Sequence, residues 1–329
     1  MTMDIYIKKA ILHAFDPGQP EITFSENLME LTPVMLDYVT KKVEKIYSDD
    51  AKRGVLSEEN HFLSLMTDDF IPSTIAVANF WREEFILSEK QKQNDLLFVA
   101  YELDTQPHFA FIRLSLRDSF SHDFDTVTGQ IKIRKTESSL PGAGSAADEA
   151  IAINRNTFSY HLLEKRIKYN GKNYNYFSEN LLAEKPEISV NKAIKTIKKT
   201  AESVAKSYDD DEFAFSQKVQ NAVFHAVEKQ ENLNPEALAD QLFADNLTAR
   251  LAFKDQVKAE IPDKIRFEQM PMEKIEKKLS NQKLSLSNGI EMIVPQSLYE
   301  DAETVEFIQN DDGTYSIIIK NIEEIKNKW

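Results

Sequence analysis

The stretch from Lys185 to Lys206, KPEISVNKAIKTIKKTAESVAK, most constrains the fold of this chain. Wound as a helix and counted from Lys192, Lys195, Lys199 and Lys206 fall at about 300°, 340° and 320°, a narrow lysine stripe. Ile194, Ile197, Ala201, Val204 and Tyr208 fall on the opposite side, between about 120° and 200°. Such a helix buries one side and offers the other to something negatively charged. Pro186 marks its beginning, and Ser189 or Asn191 can cap it. The stripe also has a plain reading as a solvated face, because Glu202 sits beside the lysines and can pair with Lys199 and Lys206. Before this helix strands mix with helices, and after it the period is helical to about Glu260.

A chain of 329 residues exceeds one ordinary core, and the helix supplies the division. Two parts are expected: a mixed antiparallel-sheet and helix domain over residues 1–184, then a helical segment with C-terminal β-hairpins over 185–329. The fold class is α+β. In the first part, residues 4–13 and 21–25 read as strands around the Asp16-Pro17-Gly18 turn. Thr32 and Pro33 open a helix that buries Val34, Leu36, Val39, Val43 and Ile46. Two more helices are expected at Ser57–Met66 and Pro72–Leu87. Leu96–Leu103 and Phe109–Leu116 read as an antiparallel pair, and Ala150–Ile153 as a further strand. Gln130–Thr136 alternates Ile131 and Ile133 with Lys132 and Arg134, a half-exposed strand with its basic side out. Asn170-Gly171 suits the two-residue turn of a hairpin. In the second part, Asp209, Asp210, Asp211 and Glu212 sit at a helix start, where carboxylates oppose the macrodipole, so they read as a cap and not a metal site. Asn288-Gly289 and Asp311-Asp312-Gly313 turn the last two hairpins.

Composition removes several function classes. With no cysteine there is no disulfide, no thiolate catalysis and no cysteine-ligated metal. Eight glycines are too few for a glycine-rich dinucleotide fold. No stretch approaches the ~18 apolar residues of a membrane span, and the start lacks the pattern of a signal peptide, so a cytoplasmic protein without membrane contact is expected. The net charge of −14 is spread over both parts, so any contact with a polyanion must come from local patches.

Catalytic motifs are not recognisable. His122 stands among Asp118, Asp123 and Asp125 without a second histidine at ligand spacing, which reads as a polar loop. Pro141-Gly142-Ala143-Gly144-Ser145 lacks the lysine of a phosphate loop and reads as a flexible loop. No cofactor or metal site is expected. The hairpin over 165–177 interleaves Lys165, Arg166, Lys168 and Lys172 with Tyr169, Tyr174, Tyr176 and Phe177. Cations there can hold phosphates while rings stack on bases, or the rings can simply pack the hairpin. Lys132 and Arg134 can extend the same surface.

The opening KKAILHAFDPGQPEITFSENLMELTPVMLDYVTKKVEKIYSD, then GVLSEENHF, ALADQLFAD and LSLSNGIEMIVP, resemble in apolar spacing and order the bacterial nucleoid-associated protein family of the NdpA type. The resemblance covers nearly the whole chain and is weakest over about residues 120–180. It implies association with the nucleoid, binding to DNA and no catalytic motif. Two readings follow: direct, largely non-specific DNA binding, with a homodimer adding avidity, or a protein–protein module brought to the nucleoid by a protein partner.

Overall fold

In the computed structural model, residues 3–19, 21–208, 212–229, 232–258, 260–261, 265, 280–299 and 301–326 are described. The fold is mixed α+β, with antiparallel sheets and C-terminal hairpins. It divides into two compact units, Thr2–Ala193 and Ile194–Trp329.

The first unit is built on a six-stranded antiparallel sheet. Its strands are β1 (Ile5–Phe15), β2 (Lys52–Val55), β3 (Asn94–Leu103), β4 (Gln106–Ser115), β7 (Glu149–Asn154) and β8 (Ser159–Leu163), in the order β1-β3-β4-β7-β8-β2. The β3 and β4 sequences are continuously apolar because both sheet faces are covered. On one face Phe98, Phe109, Phe111 and Ile151 pack against Val77, Trp81 and Phe85 of helix α3 (Phe70–Phe85). On the other Val99, Ala110, Ile112 and Ala150 pack against Val39 and Val43 of helix α1 (Pro33–Glu44). Successive strand residues therefore serve different cores, phenylalanines on the α3 side and aliphatic groups with Tyr101 on the α1 side.

Local signals place these elements. Thr32 accepts from the Met35 N–H at 3.4 Å and Pro33 follows as the first helical residue of α1. Its buried side is Val39, Val43 and then Ile46; Val34 and Leu36, in the first turn, are exposed, contrary to the sequence expectation. The helix expected over Ser57–Met66 contracts to α2 (His61–Ser64), since Asn60, not Ser57, caps it through the Phe62 N–H at 2.9 Å. The loop at Pro141–Ser145 is tied down: the buried Lys42 ammonium donates to the Gly142 and Ser145 carbonyls at 2.9 and 3.0 Å.

Two hairpins leave this sheet. One pairs β5 (Arg117–Asp125) with β6 (Gln130–Ser139), and the other β9 (Ile167–Tyr169) with β10 (Lys172–Tyr174). Asn170 and Gly171, at φ 48° and 76°, make the left-handed turn that their dipeptide requires. The expected polar loop around His122 is instead β5, in register with Ile133 opposite His122.

The second unit holds most of α4 (Val190–Ser207), then α5 (Glu212–Glu228), α6 (Pro235–Leu242) and α7 (Leu247–Lys258). The hairpins β11 (Asn281–Ser285) with β12 (Glu291–Pro295), and β13 (Val305–Gln309) with β14 (Tyr315–Ile319), follow. Asp209, Asp210 and Asp211 lie outside the described residues.

Candidate nucleic-acid interface

Helix α4 starts where Ser189 accepts from the Lys192 N–H at 3.3 Å. Asn191, the other capping candidate, is used elsewhere: its N–H donates to the Asp49 carbonyl at 2.9 Å and its amide to the Asp50 carboxylate at 2.6 Å. Pro186 precedes the helix by more than expected, because Glu187 pairs as an isolated bridge with Arg53. Val190, Ala193, Ile197, Ala201, Val204 and Ala205 are buried. Ile194 is half-buried and Tyr208, just past the helix, is 36% exposed; the buried arc keeps the expected centre and is widened on its two flanks by Ala193 and Ala205.

Lys192, Lys195, Lys199 and Lys206 are all exposed along this one helix, over about 21 Å of its axis. Lys192, Lys195 and Lys199 form no ion pair with a described residue, and Glu202 is half-buried without reaching Lys199. A row of exposed cations can meet successive phosphates of a nucleic-acid backbone.

The second cluster is more self-satisfied. Lys165 pairs with Asp148, and Lys168 with Glu89 at 3.3 Å. Burial alone would raise the Asp148 carboxyl, but the Lys165 ammonium and the Ser115 N–H outweigh it and hold the group at about 2. The Gly171 N–H at 2.8 Å, and the Lys168 ammonium after it, keep the Glu89 carboxyl below its usual range. Arg166 and Lys172 remain exposed without an ion pair to a described residue. Tyr169 and Tyr174 stand 6.2 Å apart, with Tyr174 half-buried against the core. Tyr176 and Phe177 are not available for stacking. Both are fully buried, and the Tyr176 hydroxyl donates to Glu149 at 2.5 Å while accepting from the Trp81 indole at 2.8 Å.

The third pair, Lys132 and Arg134, lies on β6. Lys132 reaches Asp125 at 2.5 Å; Arg134 faces Ser121 across the hairpin. The expected half-exposed strand is exposed on both sides, since Ile131 and Ile133 are uncovered too.

Sequence reasoning missed a cleft of about 1390 Å³ in the second unit. Phe213 of α5, Tyr299, Phe307 and Tyr315 line it with Lys198 and Gln217. Its rings touch one another, Phe213 to Phe307 at 5.5 Å and Tyr299 to Phe307 at 4.9 Å. Its walls come from α4, α5, two later hairpins and the segment between them, so no local motif announces it. Among the described residues no group of histidine and carboxylate side chains could hold a metal ion, and no helix is long and apolar enough to cross a membrane.

A lysine row on an amphipathic helix, carried by an acidic α+β protein, confines positive surface to local patches. The chain belongs to the nucleoid-associated protein YejK family, whose model matches residues 11–326. A role at the bacterial nucleoid goes with that membership, and the family is not one of enzymes. No curated protein matches the chain.

Proposed function

We propose that this protein binds DNA at the bacterial nucleoid, largely without sequence preference, through phosphate contacts from Lys192, Lys195, Lys199 and Lys206. It acts in the cytoplasm, without enzymatic activity. The observation that carries this reading is the exposed row itself, three of whose members have no ion pair with a described residue. Arg166, Lys172 and Arg134 are secondary contacts. A net charge of −14 repels DNA at long range, so the patches act within about a Debye length, ~8 Å at physiological salt. Two copies joined as a homodimer would present two rows to one duplex and add avidity without new chemistry.

The test is a DNA titration across salt. Four phosphate contacts give a slope of log K against log[salt] of about −3.6. Exchanging the four lysines for glutamine should flatten that slope in a folded protein and leave unrelated duplexes competing equally, whereas an unchanged slope removes the row from the site. The acidic charge favours a second reading, recruitment by a nucleoid protein partner. Absence of binding at low salt by the well-folded protein would select it.

A further inference from the structure

Only Leu116 separates β4 from β5, yet β5 and β6 pair with each other as a separate two-stranded sheet. Their register puts Phe120, His122 and Phe124 opposite Lys135, Ile133 and Ile131 on one face. Ser121 and Asp123 lie opposite Arg134 and Lys132 on the other. The apolar face is bare: Phe120 is 72% exposed, Phe124 57%, Ile131 71% and Ile133 81%. At the root, Ser138 donates to Gln93 at 2.7 Å, and the Ser119 and Ser139 hydroxyls meet at 2.7 Å, so the arm is anchored to the unit that carries it. A lone two-stranded hairpin is marginally stable in water, and contiguous exposed apolar surface marks an interaction site.

We infer that this arm is the contact between two copies of the chain, each laying its apolar face on the arm of the other about a two-fold axis. The arm's balanced charge gives DNA no net attraction to the apolar face, which is distinct from the face that carries Arg134. Arg117, Lys132, Arg134 and Lys135 balance Asp118, Asp123, Asp125 and Glu137, and the bases already meet acids, Lys132 on Asp125 and Lys135 on Asp118 at 2.8 Å. The arm is also complementary to itself. Its β5 strand carries the phenylalanines and three of the acids, while β6 carries the isoleucines and three of the bases. A two-fold axis along the arm sets β5 of one copy over β6 of the other, rings over aliphatic chains, while Asp123, Lys132 and Arg134 stay on the outer face. At about 200 Å² for a large apolar side chain, the four exposed ones offer roughly 500 Å² per arm, or about 1,000 Å² in a pair, the lower limit of a specific interface. Just past the arm, Leu140 is 41% exposed, and the Tyr38 hydroxyl of α1 donates to the next carbonyl, that of Pro141, at 2.9 Å.

This inference rests on the two-copy part of the reading above and is independent of DNA binding, so its test contains no DNA. Sedimentation of the full chain over a range of concentration should show a dimer. The double variant Phe120→Thr with Ile133→Thr places strand-favouring residues at both positions and should weaken the dimer by roughly 100-fold or more. Near-ultraviolet circular dichroism from Trp81 checks that the sheet unit stays folded. A wild-type protein that is monomeric at every concentration overturns both the arm contact and the two-copy reading. A dimer that persists unchanged in the folded variant overturns the arm contact alone. Should the variant misfold, the absence of cysteine allows a single spin label at Val127→Cys, on the exposed turn. Sheets stack about 10 Å apart, so labels at the two tips should lie within roughly 30 Å. A wild-type-like dimer without that coupling overturns the proposed packing.

Discussion

Strands β4 and β5 follow one another with a single residue between them, and their surroundings are opposite. From His108 to Leu114 every residue of β4 is buried, whereas eight of the nine residues of β5 are exposed. The first is apolar on both sides, HFAFIRL, and its own chain covers both sides with α1 and α3. The second alternates, SFSHDFD, and its apolar side is left largely exposed. Alternation thus defines one apolar face, and what covers that face is decided by the elements at hand. The same contrast separates two kinds of charge. Arg113 of β4 is buried against Glu149 at 2.7 Å, with Asn94 at 2.9 Å, while the pairs of the arm are open to water.

The largest effect should come from breaking the buried pair. In Arg113→Ala the Glu149 carboxylate, fully buried, keeps only the Tyr176 hydroxyl as a described partner. Removing one partner of such a pair costs about 3–5 kcal/mol, so urea unfolding of the sheet unit should show a loss of that size. The Lys132–Asp125 pair on the arm is the counterpart, and Lys132→Ala should cost at most about 1 kcal/mol. Equal losses would erase the distinction.

Acid should expose the next difference, because the sheet holds buried histidines. Burial pushes His13 down to about 4, partly offset by its bond to Leu12, and the ring accepts from the Ser25 N–H at 3.2 Å while its other nitrogen meets the Thr74 hydroxyl at 3.0 Å. Burial, then the nearby Arg53 and His108, pushes His161 down to about 3. Between these values and about 6.5 the unfolded chain binds protons that the folded one refuses. Stability therefore falls as pH drops through that window, by at most about 1.4 kcal/mol per unit for each histidine. Denaturation at pH 7 and pH 5 should differ by roughly 2–4 kcal/mol from these two groups. A flat profile would mean that the rings are hydrated, and that the sheet is less closed than its packing.

How far the sequence discloses this arrangement depends on whether a signal is local. The α4 row is legible because one helix carries both its faces, and 3.6 residues per turn sorts Lys195 and Lys199 from Ile197 and Ala201. β3, β4 and the Asn170-Gly171 turn are legible for the same reason. β5 is hidden by its serine, histidine and aspartate content, which is typical of loops, and β2 and β8 by their shortness. The fate of the aromatic residues after β10 is set far away: Tyr176 and Phe177 are core because Trp81, Phe111 and Glu149 meet them there. Lys165 and Lys168 lose their free charge to Asp148 and Glu89, carboxylates from other segments that no spacing rule connects to them.

The smallest expected effect tests the comparison most directly. Phe120→Thr with Ile133→Thr removes two large apolar groups, and in a packed interior such losses would cost several kcal/mol, as Phe111→Ala should at about 3–5 kcal/mol. On the arm both side chains are more than 70% exposed, so in a monomer there is little burial to lose. Unfolding followed at a concentration low enough to keep the protein monomeric should therefore shift by no more than about 0.5 kcal/mol. Threonine at both positions retains strand propensity, so the hairpin itself is not the source of any change. At high concentration the wild type should gain stability over the variant, because association stabilises only the folded arm. A loss above about 1.5 kcal/mol in the dilute variant would mean that the chain covers the face itself in solution. β5 would then differ from β4 in sequence pattern but not in burial.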